Sequence, residues 1–67
     1  MSDLWYDVMF ARRGEVGADR KVPPRYQASH DIVAARNGVG KCVRVDIEDT
    51  PDPETVKITF THERVAA

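Results

Sequence analysis

Two histidines, His30 and His62, and a single cysteine, Cys42, are the side chains here best suited to hold a metal or act as a nucleophile. A zinc site or a Cys–His pair needs such residues at short, repeated spacings that a turn or hairpin can bring together. These three lie far apart in the chain and share no ligand spacing. The expectation is therefore no metal, no cofactor and no catalytic role, so the chain reads as a non-enzyme. Cys42 then serves as a small packing residue and the histidines as solvent-exposed groups.

Other patterns that could do chemistry read the same way. Gly14-Glu15-Val16-Gly17 and Gly38-Val39-Gly40-Lys41 suggest phosphate-cradling loops, but the second follows a helix and precedes a strand. That reverses the strand-loop-helix order that sets a phosphate at a helix N-terminus. Asp46, Glu48, Asp49, Asp52 and Glu54 form an acidic run without the central Gly and closing Glu of a calcium loop, so it reads as a solvated hairpin end or a contact surface. The basic set Arg12, Arg13, Arg20, Lys21 and Arg25 lies near Trp5, Tyr6 and Tyr26 in the chain. Basic groups interleaved with aromatics suit nucleic acid, through counterion release and base stacking. Arg, Trp and Tyr are also the residue types that dominate protein–protein hot spots, and the overall charge of −1 favours that second use.

The elements that must position these groups follow from periodicity. Leu4, Tyr6, Val8 and Phe10 alternate with Trp5, Asp7, Met9 and Ala11, which predicts a strand over 4–12 with its Leu4/Tyr6/Val8/Phe10 side toward the core. Arg13 to Pro24 reads as a loop. Arg25 to Ala28 reads as a second short strand, and Ser29 as the N-cap of a helix of about two and a half turns that stops at Asn37-Gly38. Val43/Val45/Ile47 and Val56/Ile58/Phe60 alternate with polar residues in two further strands joined by the turn-rich 49–54. The prediction is an α+β fold in ββαββ order: an antiparallel sheet with one short helix on its Tyr6/Val8/Phe10/Val43/Val45/Ile47/Ile58/Phe60 face. Trp5 and Met9 would then lie on an uncovered face.

At 67 residues the chain forms one small domain, 1–67, with little core to spare. Its charge is unevenly spread. Residues 1–45 hold eight Lys and Arg against five Asp and Glu, and 46–67 hold two against six. Such a charge dipole steers encounters with charged partners. No stretch suits a signal peptide or a transmembrane helix, and a lone thiol fits a reducing compartment, so a cytoplasmic protein without membrane contact is expected.

Tyr26-Gln27-Ala28-Ser29-His30-Asp31-Ile32-Val33-Ala34-Ala35-Arg36, followed by Val43-Arg44-Val45-Asp46-Ile47, resembles the organisation of small phage-encoded anti-CRISPR proteins, in some of which a strand ending in Ala-x-Ser leads into an Ala-rich helix and a Val/Ile hairpin. The resemblance implies a compact inhibitor that docks through charged surface residues on the nucleic-acid-binding subunits of a host interference complex. On this reading Trp5 is an anchor and Arg12, Arg13, Arg20, Lys21 and Arg25 pair with acidic groups of a host protein or ribonucleoprotein. The alternative is a small nucleic-acid-binding or regulatory domain that uses the same basic loop on phosphates. A homodimer is a further class of partner.

Overall fold

In the computed structural model, which describes residues 3–64, the chain runs β1 (Leu4–Arg12), α1 (Arg13–Val16), α2 (Pro24–Asn37), β2 (Cys42–Asp49) and β3 (Thr55–Glu63). The strands form one antiparallel sheet in the order β1-β3-β2, and the fold is α+β. The expected ββαββ order is corrected in its second element, because 25–28 is not a strand. Tyr26 and Ala28 alternate, but Tyr26, His30 and Ala34 also recur every four residues, and the helical spacing prevails. Pro24 opens α2 at a position where its missing N–H costs nothing, and Gln27 N–H donates to the Pro23 carbonyl at 3.1 Å. Ser29 is consequently an exposed residue within the helix and not its cap, and α2 has 14 residues. Arg13–Val16, expected as loop, closes a single helical turn in which Glu15 Oε2 accepts the Arg12 backbone N–H at 3.2 Å.

The C-terminal stop of α2 is where it was expected. Gly38 adopts φ +63°, and the Gly38 and Val39 N–H groups donate to the carbonyls of Ala35 and Ala34. This Schellman arrangement satisfies two carbonyls at the helix end. Gly38→Ala has open space for its methyl group. It should still lower stability by about 1 kcal/mol, because the left-handed conformation penalises a Cβ. Urea unfolding measures that loss.

A second correction concerns which side of the sheet is covered. Val56, Ile58 and Phe60 on the central strand are fully buried, and the register sets them opposite Ala11, Met9 and Asp7 of β1. Directly opposed residues share a face. The Trp5/Asp7/Met9/Ala11 side of β1 therefore faces α2, while Leu4, Tyr6, Val8 and Phe10 stand on the open side, 40 to 63% exposed. Alternation in β1 could not decide this, because both its faces carry large apolar groups. β3 decides it, since only one of its faces lacks polar groups along Val56, Ile58 and Phe60. In β2, Val45 and Ile47 share the helix side, opposite Phe60 and Ile58, while a register shift between Cys42 and Arg44 leaves Val43 beside Leu4 and Tyr6 on the open side. The core is Ala11, Val16, Val56, Ile58 and Phe60, flanked by Met9, Val22, Tyr26 and Ile47.

Candidate functional site

The helix-covered face ends in a polar chain of two buried histidines and a half-buried aspartate. Asp7 from β1, His30 from the middle of α2 and His62 near the end of β3 line up with the Gly40 carbonyl in the α2–β2 link. The contacts are Asp7 Oδ2 to His30 Nδ1 at 2.6 Å, His30 Nε2 to His62 Nε2 at 2.6 Å, and His62 Nδ1 to the Gly40 oxygen at 2.8 Å. His30 and His62 are 2% and 4% exposed, which corrects the expectation that both are solvent-exposed. Burial is tolerable because each ring nitrogen has a partner, and no buried side-chain N or O among the described residues lacks one. Phe60 stacks on the His30 ring at 3.8 Å and 8°, and Trp5 lies edge-on to His62 at 5.6 Å. Sequence spacing missed this cluster because its members come from three elements that only the sheet register and the pitch of α2 bring together. Asp7 gave no local hint either, because alternation placed it on the side of β1 opposite the expected core.

Cys42 does not join this group. Although it pairs in register with His62, it is exposed and its thiol donates to the Arg44 carbonyl at 3.4 Å. Burial as a small packing residue, the expected role, is thus corrected. Among the described residues no three His, Cys, Asp or Glu converge to hold a metal ion.

The basic set folds back onto the acidic hairpin. Asp49 accepts hydrogen bonds from Arg13 Nη1 at 2.8 Å and Arg20 Nη1 at 3.4 Å, while Arg20 Nη2 donates to the Ile47 carbonyl and Arg13 Nε to the Pro53 carbonyl. Arg20 holds a left-handed φ of +53°, and these contacts stabilise it there. Arg25 pairs with Glu15 and lies 4.7 Å from the centre of the Tyr26 ring, whose hydroxyl donates to Glu15 at 2.6 Å. The Arg13 and Arg20 guanidinium groups hold the Asp49 carboxyl below its ordinary range, and Glu15 is lowered chiefly by the Tyr26 hydroxyl. Both contributions are present at neutral pH and are lost as pH falls through the lowered values. Asp52 is also occupied, accepting from the Glu54 backbone N–H and the Thr55 hydroxyl within the hairpin turn. The charge dipole of the sequence is thus partly joined across the fold.

Of the six residues singled out as partner contacts, Arg13, Arg20 and Arg25 are engaged in internal ion pairs, and Trp5 is half-buried on the helix side. Arg12 and Lys21 are exposed with no ion pair among the described residues. Arg12 ends the open-side row of β1. That row, Leu4, Tyr6, Val8, Phe10 and then Arg12, extends over about 25 Å of an edge strand. Beside it run Thr61, Thr59, Lys57 and Thr55 of β3, then Arg44, Asp46 and Glu48 of β2, with Arg44 bonded to Asp46 at 3.0 Å. Four large apolar side chains in line make a contiguous exposed apolar row, a kind of patch that is often functional in soluble proteins. This face, which was expected to be the core, exposes four large apolar side chains of β1.

No helix among the described residues is long and apolar enough to cross a membrane. No family model, curated protein or solved structure matches the chain.

Proposed function

We propose that this protein works by binding another protein through the open side of its sheet, as a non-enzymatic inhibitor of a host nucleic-acid-handling complex of the CRISPR-type interference class. The observation that carries the binding reading is the exposed Leu4/Tyr6/Val8/Phe10 row, apolar along its length and ending in the Arg12 guanidinium, which makes no ion pair among the described residues. The surface that fits it presents apolar side chains to the row and a carboxylate to Arg12. Tyr and Phe in such a row are efficient anchors, since each covers a large area while fixing few rotatable bonds. The reactive side chains support recognition over catalysis: His30, His62 and Asp7 are bonded to one another or to backbone, away from the open side. The inhibitor reading rests on the resemblance to anti-CRISPR proteins, of which this fold keeps the Ala-rich helix leading into a Val/Ile hairpin, while the strand ending in Ala-x-Ser is here the start of α2.

Affinity capture from host cells tests this. A multi-subunit nucleoprotein complex should be retained by the native chain and released by Val8→Lys, which sets a charge in the middle of the row. Two results would sink the proposal: recovery of nucleic acid alone, with affinity falling steeply with salt, or a chain that pairs only with its own copies in sedimentation equilibrium.

A further inference from the structure

We propose that β1 is a pairing edge for a second copy of this chain, so that two antiparallel β1 strands join the copies into one continuous sheet with twice the three strands of a single copy. The direction of the β1 backbone groups is fixed at its ends. The Arg64 N–H donates to the Asp3 carbonyl at 2.9 Å and the Arg13 N–H to the Glu54 carbonyl at 2.7 Å. Both pairs continue the unbroken β1–β3 register, so the odd-numbered residues of the strand bond to β3. The backbone N–H and C=O groups of Leu4, Tyr6, Val8, Phe10 and Arg12 therefore point away from β3, out of the free edge. Arg12 agrees with this parity, since its N–H is taken by Glu15 Oε2. From Leu4 to Phe10 no hydrogen bond on that edge is present among the described residues.

The two edges of the sheet are protected differently. β2, the other edge, begins with a register shift between Cys42 and Arg44 and carries Arg44, Asp46, Glu48 and Asp49. Bulges and charges keep an edge strand from pairing with another chain. β1 has nine residues without a bulge, a proline or a lysine, and Asp7, its one charge between the ends, is bonded to His30. One register about a twofold axis suits a second copy. With Val8 opposite Val8 of that copy, Tyr6 faces Phe10 and Leu4 faces Arg12, so every outward-pointing residue of the strand is paired. Tyr6–Phe10 pairs then flank the axis on the open side, and on the helix side Asp7 lies opposite Met9. A register centred on Asp7 would instead oppose two carboxylates. Val33 stands on the same flank of α2 as Tyr26, seven residues earlier, and the Tyr26 hydroxyl reaches Glu15 beside β1. Val33 is exposed, and pairing at β1 sets the two α2 helices side by side with these flanks facing. A chain of 67 residues with one cysteine has no internal disulfide to supplement its small core, and association supplies that burial. The added strand lies in the plane of the sheet and leaves the open side uncovered, so this pairing is independent of the partner proposed above.

Sedimentation equilibrium and amide hydrogen exchange of the native chain test this together. Interfaces below about 1,200 Å² are commonly weak, so concentrations run from about 10 µM to about 1 mM. The apparent mass should climb from near 7.5 kDa toward twice that value. Over the same range the Tyr6, Val8 and Phe10 amides should come to exchange several times more slowly, while those of Asp7 and Met9, bonded to β3, stay protected throughout. Val8→Pro separates edge pairing from other modes of association. It removes an N–H that points away from β3, so no bond within one copy is lost, and Asp7 before it is already extended. The variant should keep its far-UV circular dichroism and sediment as a monomer at the highest concentration. A native chain that stays monomeric there would overturn the proposal and leave the edge to a strand of another protein. So would a folded Val8→Pro that still dimerises, or a native dimer whose Tyr6, Val8 and Phe10 amides exchange freely, the mark of open faces stacked on each other. Should Val8→Pro fail to fold, the concentration dependence of those three amides in the native chain decides alone.

Discussion

Replacing Phe60 by alanine should unfold most of the protein at 25 °C. Phe60 is fully buried on the central strand, where Asp7 of β1 and Val45 of β2 flank it in register. Removing a core phenyl group costs about 3 to 5 kcal/mol, made up of lost transfer energy and the cavity left behind. A domain of this length has only about 3 to 10 kcal/mol of net stability. The cost here lies at the upper end, because the phenyl ring is also the stacking surface of His30 at 3.8 Å. Without it the imidazole loses its apolar cover and water reaches the Asp7–His30–His62 chain. Far-UV circular dichroism and urea titration of Phe60→Ala should show a shortened or missing native baseline. Phe60→Leu, which keeps much of the volume, should retain a cooperative transition at a lower midpoint. A Phe60→Ala protein as stable as the native chain would mean that the sheet is not held by this central strand.

The double substitution Tyr6→Ser with Phe10→Ser should weaken partner binding by at least 100-fold and leave the fold intact. Both side chains stand on the open side, 57% and 63% exposed, so little core contact is lost with them. Aromatic anchors at the centre of an interface typically contribute 2 kcal/mol or more each, and the factor given is a modest reading of two such losses. Calorimetric titration of the captured partner measures the binding, and urea unfolding checks the fold. The reciprocal variant, Trp5→Ala, acts on the helix side: it should lower stability by uncovering His62 while changing partner affinity little. An intact affinity in the double variant together with a large loss in Trp5→Ala would move the interface to the other side of the molecule. Arg13→Ala and Arg20→Ala distinguish the two surfaces further. Both residues are bound to Asp49, so their loss should loosen the contact between α1 and the 47–54 hairpin before it affects any partner.

The acid limit of this domain has its physical origin in three carboxyls held by ion pairs and turn bonds. At low pH the lowered carboxyls of Asp49, Glu15 and Asp52 take up protons and their ion pairs and turn bonds weaken. Substitutions at Asp49 should therefore alter the acid side of the stability profile.

Residue patterns alone determined the three strands of the sheet to within a residue, the end of the helix at Gly38, and the α+β class. Each rests on a local signal: alternation in 4–12, 41–48 and 56–62, and a glycine able to take positive φ. The start of the helix was ambiguous because Tyr26-Gln27-Ala28 satisfies both a period of two and a period near four, and only packing of Tyr26, His30 and Ala34 against the sheet separates them. Tertiary structure alone decided which side of β1 is buried. A strand apolar on both faces carries no preference of its own; it takes the orientation that sets Met9 against Ile58 and Asp7 within reach of His30. That one choice exposes Leu4, Tyr6, Val8 and Phe10 and turns an expected core into the candidate interface. It also joins two histidines and an aspartate, distant in the chain, into a hydrogen-bonded line, because alignment across three elements depends on register and helix pitch and leaves no trace in local spacing.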